Sequence, residues 1–328
     1  MKRMKTFLIV ITFVLFFLAL FFIFKNNSES RSYPQKKVGV IIFSKEFEDS
    51  FRGFSDGVKK YNYLDVEFQV VNIDGDLTKV EPALELFHQK SIKIILATTT
   101  PVNQKIKELN DKYGFYVIFT QVASPLESGL TMDEKSSGTN FVGVSRLAFV
   151  TLAKRMEIFK DAFPELKRVI IFYGPNEKFL EKHLAQYKDI AGNIGLELYL
   201  LPLIDEKSID DAQKLVSENT GVFMAPSPYS VKYFSKIRDF ADRNRIPIMA
   251  IDTYLVQKGA TLAYSQSFYN DGVQASYYLF LTLKGIEPKN LPILRPDKME
   301  LYLNRKSITN TKMKFNKSYF GYADRIVE

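Results

Sequence analysis

From residue 37 onward, short apolar runs alternate with stretches whose apolar residues recur at helical spacing. KVGVIIF (37–43) reads as a buried strand, and FEDSFRGFSDGVKKY (47–61) places Phe47, Phe51, Phe54, Val58 and Tyr61 on one helical face. Strands follow at DVEFQVV (65–71), IKIILAT (92–98) and FYVIFT (115–120). Helices are predicted between them, one to about residue 90 with Asp76 or Thr78 as cap, and one over 101–113. The pattern then restarts at RVIIFYG (168–174), GLELYLL (195–201), GVFMAP (221–226) and IPIMAID (246–252), with helices near 177–193, 208–218 and 229–244. Late elements follow: a strand at 259–266, a helix at 268–284 ending at Gly285, and a strand at 299–304. Strands alternating with helices mean parallel sheets. The predicted class is therefore α/β, two doubly wound parallel-sheet lobes with a cleft between them. The internal duplication lies in the order of elements and not in residue identity.

Late elements that return across a lobe boundary imply several crossings, expected near 142–145, 252–259 and 285–294. The expected division is 1–36 as anchor and linker, 37–143 with 253–285 as the first lobe, and 144–252 with 286–328 as the second.

The N-terminal pattern is different. Residues 6–24 are uncharged and apolar on every face. As a helix this run spans roughly 28 Å, close to the hydrocarbon thickness of a bilayer. Lys2, Arg3 and Lys5 precede it, and KNNSES after it has no strong small-x-small cleavage site. It reads as an uncleaved transmembrane anchor in preference to a cleaved signal peptide, and either one takes the rest of the chain out of the cytoplasm. Residues 25–36, polar and holding Pro34, read as a linker reaching at most about 40 Å. The net charge of +8 is concentrated in this region: Lys2, Arg3, Lys5, Lys25, Arg31, Lys36 and Lys37 oppose Glu29 alone. The basic balance is a membrane flank, and no nucleic-acid partner is implied.

Composition excludes several chemistries. The chain has no cysteine and two histidines, His88 and His183. Disulfides, iron–sulfur clusters, thiol nucleophiles and multi-His metal cages are thereby removed. Both histidines fall on predicted helices beside Lys, Gln and Glu and read as solvated. No nucleotide-binding glycine loop and no nucleophile elbow is present, so no cofactor and no catalysis are implied. NIDGD (72–76) lacks the spacing and closing Glu of a calcium loop and reads as a turn with a helix cap.

Polar residues cluster instead at the C-terminal ends of the predicted strands, where open α/β sheets bind ligands. The first lobe offers Ser44, Glu46, Thr98, Thr99, Thr100, Gln121 and Ser124; the second offers Tyr173, Asn176, Ser227, Tyr229 and Asp252. Thr100 is expected to cap the helix that Pro101 begins, with free N–H groups and hydroxyls suited to an anion. The tyrosines would supply flat apolar area with a polar tip.

Taken in order, these stretches resemble the tryptophan/tyrosine-type substrate-binding proteins of ABC transporters. FRGFSDGVKK is similar to that family's first helix and NIDGD to its Asn-Ala-Gln-Gly-Asp turn; IKIILATTTPVNQ resembles its third strand and loop. VIFTQVASPLESGL follows its Phe-Thr-x-Val-x-Asp-Pro pattern and TNFVGVS its Asn-x-Thr-Gly-Val-Ser. LFLTLKGIEPKNLPI and LYLNRKSI are similar to its closing motifs, so the resemblance runs from residue 37 to about 310. It implies a type I periplasmic-binding fold and a small molecule captured between lobes without turnover. It also implies a permease and an ATPase as partners. Two positions depart: Ser124 and Pro228 stand where the family has acids. The expected ligand is one without an obligatory ammonium, or one that uses Glu46, Asp252 or Asp271. The expected role is an extracytoplasmic, membrane-tethered component of an ABC import system. A membrane-tethered sensory protein is the alternative, and a doubly wound α/β enzyme, such as a transferase, a third.

Overall fold

The computed structural model describes residues 36–61, 65–147, 150–174 and 183–328. The expected anchor at 6–24 and most of the linker lie outside them. Among the described residues no helix is long and apolar enough to cross a membrane.

Two sheets form the body. The first is built from β1 (Lys36–Ile42), β2 (Val66–Asn72), β3 (Ile94–Thr98), β4 (Tyr116–Val122) and β5 (Phe141–Ser145), in the order β2-β1-β3-β4-β5. Its strands are joined by helices α1 (Glu48–Lys59), α2 (Val80–Gln89) and α3 (Thr100–Tyr113). Every pairing in it is parallel. Its central strands are buried on both faces, which is why β3 reads as the continuous run IILAT and not as an alternation.

The second half begins with α4 (Leu152–Ala162), β6 (Arg168–Tyr173), α5 (Leu184–Asn193), β7 (Glu197–Pro202), α6 (Lys207–Asp210) and β8 (Thr220–Phe223). It continues through α7 (Pro228–Lys232), α8 (Phe234–Asn244), β9 (Ile248–Ala250), α9 (Thr253–Gln257), β10 (Leu262–Ser265) and α10 (Phe268–Leu283). The chain closes with β11 (Glu300–Asn304), α11 (Arg305–Asn310), α12 (Tyr319–Tyr322) and β12 (Arg325–Val327). The second sheet runs β12-β11-β10-β9-β8-β6-β7. Its first four strands repeat the winding of the first sheet, so the duplication seen in the sequence is a duplication of topology. Only β11 runs antiparallel to its neighbour β10.

Several boundaries differ from expectation. Residues 253–265 were expected in the first lobe, yet Leu262 pairs with Met249 and Leu303, which fixes β10 in the second sheet. The crossing therefore lies between Ser265 and Phe268, not at 252–259. α10 does return to the first lobe, where it packs along α1. The helices meet at small residues: a Cβ on Gly272 would lie 1.9 Å from the Ser50 carbonyl oxygen, and one on Gly53 equally close to that of Tyr269. Residues 286–294, expected in the second lobe, stay with the first, since Leu294 bridges Val144. The third crossing follows them. The predicted helix at 229–244 is two helices, broken at Tyr233. β5 and α4 were not anticipated as elements.

Candidate functional site

The two sheets point the C-terminal ends of their strands at one another, and a cavity of about 610 Å³, counting its open mouth, lies between them. Phe47, Thr99, Thr100, Gln121, Ala123 and Arg146 line it from the first lobe. Arg155, Pro226, Ser227, Pro228, Val231 and Ile251 face them from the second. Tyr264, Ser265, Gln266 and Phe268 close it along the crossing between lobes. Ligand crevices are expected where strand order reverses, beyond the ends of neighbouring strands. In the first sheet that is the boundary between β1 and β3, where Thr99 stands.

Thr99 is held in an unusual backbone state. It precedes α3 with φ +68° and ψ +152°, a region nearly reserved for glycine, although it is β-branched. Its N–H donates to the Thr120 carbonyl at 2.9 Å, and its carbonyl accepts from the Asn103 side chain at 2.8 Å. Its hydroxyl is buried with no partner. The expected cap, Thr100, is instead the first helical residue; its Oγ1 accepts from the Ala123 N–H at 3.2 Å. Gln121 also has positive φ, +54°, beside an irregularity in the β4–β5 pairing. Such a kink re-aims a side chain. Here it brings Gln121 Nε2 within 2.9 Å of Asp271 Oδ2 and leaves Oε1 without a partner.

Across the cavity, Ser227 caps α7 by accepting from the Ser230 N–H, with Pro228 in the first turn. Arg146, just past β5, donates to Asp271 Oδ2 at 2.7 Å, to the Gln266 carbonyl at 2.8 Å and to the Ile251 carbonyl at 3.1 Å. It thereby ties the end of β5 to the end of β9 and to the crossing at Gln266 that leads into α10. Burial opposes its charge, but Asp271 and Asp252 outweigh that and raise its pKa. Asp252 is fully buried; its oxygens accept from the Tyr254 N–H at 2.6 Å and the Phe268 N–H at 2.9 Å. Burial pushes its pKa up to about 7 against the pull of Arg146.

Of the residues singled out in the sequence, Thr99, Thr100, Gln121 and Ser227 meet at this cavity. The others do different work. Thr98 Oγ1 accepts from the Phe43 N–H at 2.9 Å, locking β3 to the end of β1. Ser44 donates to Glu46 at 2.7 Å, so the two satisfy each other. Ser124 bonds Ser128 through its carbonyl, and Asp252 caps α9 and anchors the start of α10. Tyr173 ends β6 away from the lining. Tyr229 packs its ring edge-on against Phe43 of the opposite lobe, with centroids 5.3 Å apart. Asn176 lies outside the described residues. His183, expected to be solvated, is mostly covered, with Nε2 2.6 Å from Glu127 Oε2 of the first lobe. Arg146 and Arg155 carry the site's positive charge and were missed. The signal for Arg155 was a charge at helical spacing among Leu152, Met156 and Phe159.

Residues 37–327 match the family model for ABC transporter substrate binding protein. The chain belongs to that family. A curated relative, an uncharacterized protein of Rickettsia prowazekii (strain Madrid E), is 25% identical over 276 residues, covering 83% of this chain and 84% of the relative. Among solved structures, an ABC domain from Streptococcus pneumoniae in complex with L-Trp superposes with a TM-score of 0.79 at 18% identity, over 90% of this chain and all of that one. A conserved domain protein of Vibrio cholerae gives the same TM-score at 19% identity, over 89% and 99% of the two chains. The ligand-free, open substrate binding protein CD0873 of Clostridium difficile gives 0.64 at 19% identity, over 89% and 99%. These likenesses share the two-lobed fold with this substrate-binding protein, whose cavity occupies the cleft of that fold.

Proposed function

We propose that this protein is the extracytoplasmic solute-capturing component of an ABC import system, closing two lobes around one small molecule and handing it to a membrane permease driven by an ATPase. Binding without turnover is the reading, with Thr99, Thr100, Gln121, Ser227, Arg146 and Arg155 as contacts. One observation carries it. Thr99 Oγ1, Gln121 Oε1, Ser265 Oγ and two nitrogens of Arg155 are buried side-chain atoms without a partner, and all belong to residues lining this single cavity. Unpaired buried polar groups cost roughly 1–3 kcal/mol each. Their convergence supports a solute that completes their bonding. The uncharged run at 6–24 supports a membrane tether, which keeps the body within reach of the permease.

Native mass spectrometry of the purified full-length chain is the test. An adduct of small-molecule mass that is lost on denaturation, and whose readdition slows hydrogen exchange at Thr99 and Ser227, is the expected result. Fractionation of the chain into the soluble fraction, with a new N-terminus near Arg31, would remove the tether from this reading.

A further inference from the structure

Arg155 lies on the face of α4 that also presents Leu152, Met156 and Phe159 to the second core, and it is 1% exposed. Its NH2 donates to the carbonyls of Met224 at 2.8 Å and Ala250 at 2.9 Å, just past β8 and at the end of β9. The guanidinium carbon stands 4.6 Å from the centroid of Phe223. Nε and NH1 have no acceptor. Burial lowers its pKa to about 10, opposed by the neighbouring Tyr187 and helped by Arg146, so it remains charged at neutral pH. No carboxylate among the described residues pairs with it. A buried cation held this way is costly until a counter-charge arrives.

The other described charges near the cavity are already matched. Asp271 takes Gln266 Nε2 on Oδ1 at 2.6 Å, and Gln121 and Arg146 on Oδ2. Both oxygens of Asp252 are occupied by backbone N–H groups. Neither aspartate is part of the lining. Among the described residues an entering ammonium therefore meets no available carboxylate, whereas an entering anion meets an unmatched guanidinium. Apolar side chains share the wall with the hydroxyl and amide groups already described: Phe47 stacks on Phe268 with centroids 5.1 Å apart, and Val231, Ile251 and Met299 add to the apolar area. Planar oxyanions are the natural partners of guanidinium.

We propose that the cavity selects an organic carboxylate that carries no ammonium group, with its carboxylate on Arg155 and its apolar body against Phe47 and Phe268. This rests on the reading of the chain as a solute-binding protein and names the class of solute.

Calorimetry on the full-length chain in detergent tests it. Straight-chain, branched and arylalkyl bodies are each offered as the carboxylate, the α-amino acid and the primary amide, with polyols and inorganic phosphate alongside. The expected result is tightest binding by a carboxylate, with the amide and amino acid of the same body about tenfold or more weaker. Arg155→Met, shown folded by circular dichroism, is expected to bind that carboxylate and its amide alike. If an amino acid, a polyol or phosphate binds most tightly, or if Arg155→Met keeps the preference for the acid, the acid assignment is overturned while solute capture stands. If no compound of any class binds, both readings fail. Should Arg155→Met not fold, the comparison of acid with amide in the unaltered protein still decides.

Discussion

Thr99 combines two costs that a purely structural residue would avoid: a glycine-like backbone and a buried, unpaired hydroxyl. Replacing it separates them. Thr99→Gly relieves the backbone, whereas Thr99→Ala keeps the strain. The glycine variant is therefore expected to be more stable than the alanine variant by about 1 kcal/mol, the reverse of the usual ranking, as read by urea denaturation. Both are expected to lose solute affinity, by about 1 kcal/mol if the lost bond is neutral and more if it is to a charge. Asp252 makes a second prediction. Its pKa is raised from 3.8 to about 7 in the folded chain. The unfolded chain thus ionises first as pH rises, so the stability contributed by this group is full below about pH 4 and is lost by about pH 7. Asp252→Asn is expected to lower the melting temperature at every pH, because an amide nitrogen cannot accept from the Phe268 N–H. It should also flatten the decline between pH 4 and 7 relative to the unaltered protein. A parallel slope in the two would show that other groups set it.

Elements were legible where period and punctuation agreed. The β1–α1 and β3–α3 units were plain because continuous apolar strands meet helices at Ser44 and Pro101. β5 and α4 were not, because Thr151 makes no side-chain cap bond and nothing marks where the helix begins. The site was half legible for a related reason. Hydroxyl and amide residues at strand ends are a local signal, so Thr99, Gln121 and Ser227 stood out. Arg146 and Arg155 reach the cavity only through tertiary packing. Thr98 and Asp252 carried the right chemistry in the right place, but the backbone N–H groups of Phe43, Tyr254 and Phe268 had already claimed it. The α1–α10 contact gives a prediction of its own. Gly272 faces backbone, not a side chain that can swing away. Gly272→Ala must push the helices apart, and despite alanine's better helix propensity it is expected to destabilise the chain by about 1–3 kcal/mol. Gly192→Ala, where a Cβ meets nothing within 4 Å, is the control in the same denaturation experiment.

For the whole molecule, three contacts among the described residues span the mouth between the lobes. Lys232 donates to the Asp74 carbonyl at 2.6 Å, His183 meets Glu127, and Tyr229 packs on Phe43. The polar pairs are partly solvated, and such pairs are worth about 1 kcal/mol or less apiece. That is small enough for a solute to decide the balance between open and closed states. The double variant Lys232→Ala with His183→Ala is expected to widen the inter-lobe distance distribution without solute, measured between spin labels on α2 and α8. Saturating solute should restore it. An unchanged distribution would mean that the crossings alone hold the lobes.

The return of α10 to α1 also bears on how the chain is made. The first sheet is complete by Ser145, yet the helix that covers α1 begins at Phe268. During synthesis the early half therefore waits through the making of most of the second sheet with an apolar groove uncovered. Contacts so distant in sequence are slow to form. Until Leu283 has emerged, the nascent protein presents a surface that chaperones recognise and that neighbouring nascent chains can stick to. Fragments ending before that point are expected to aggregate rather than to accumulate as a folded half.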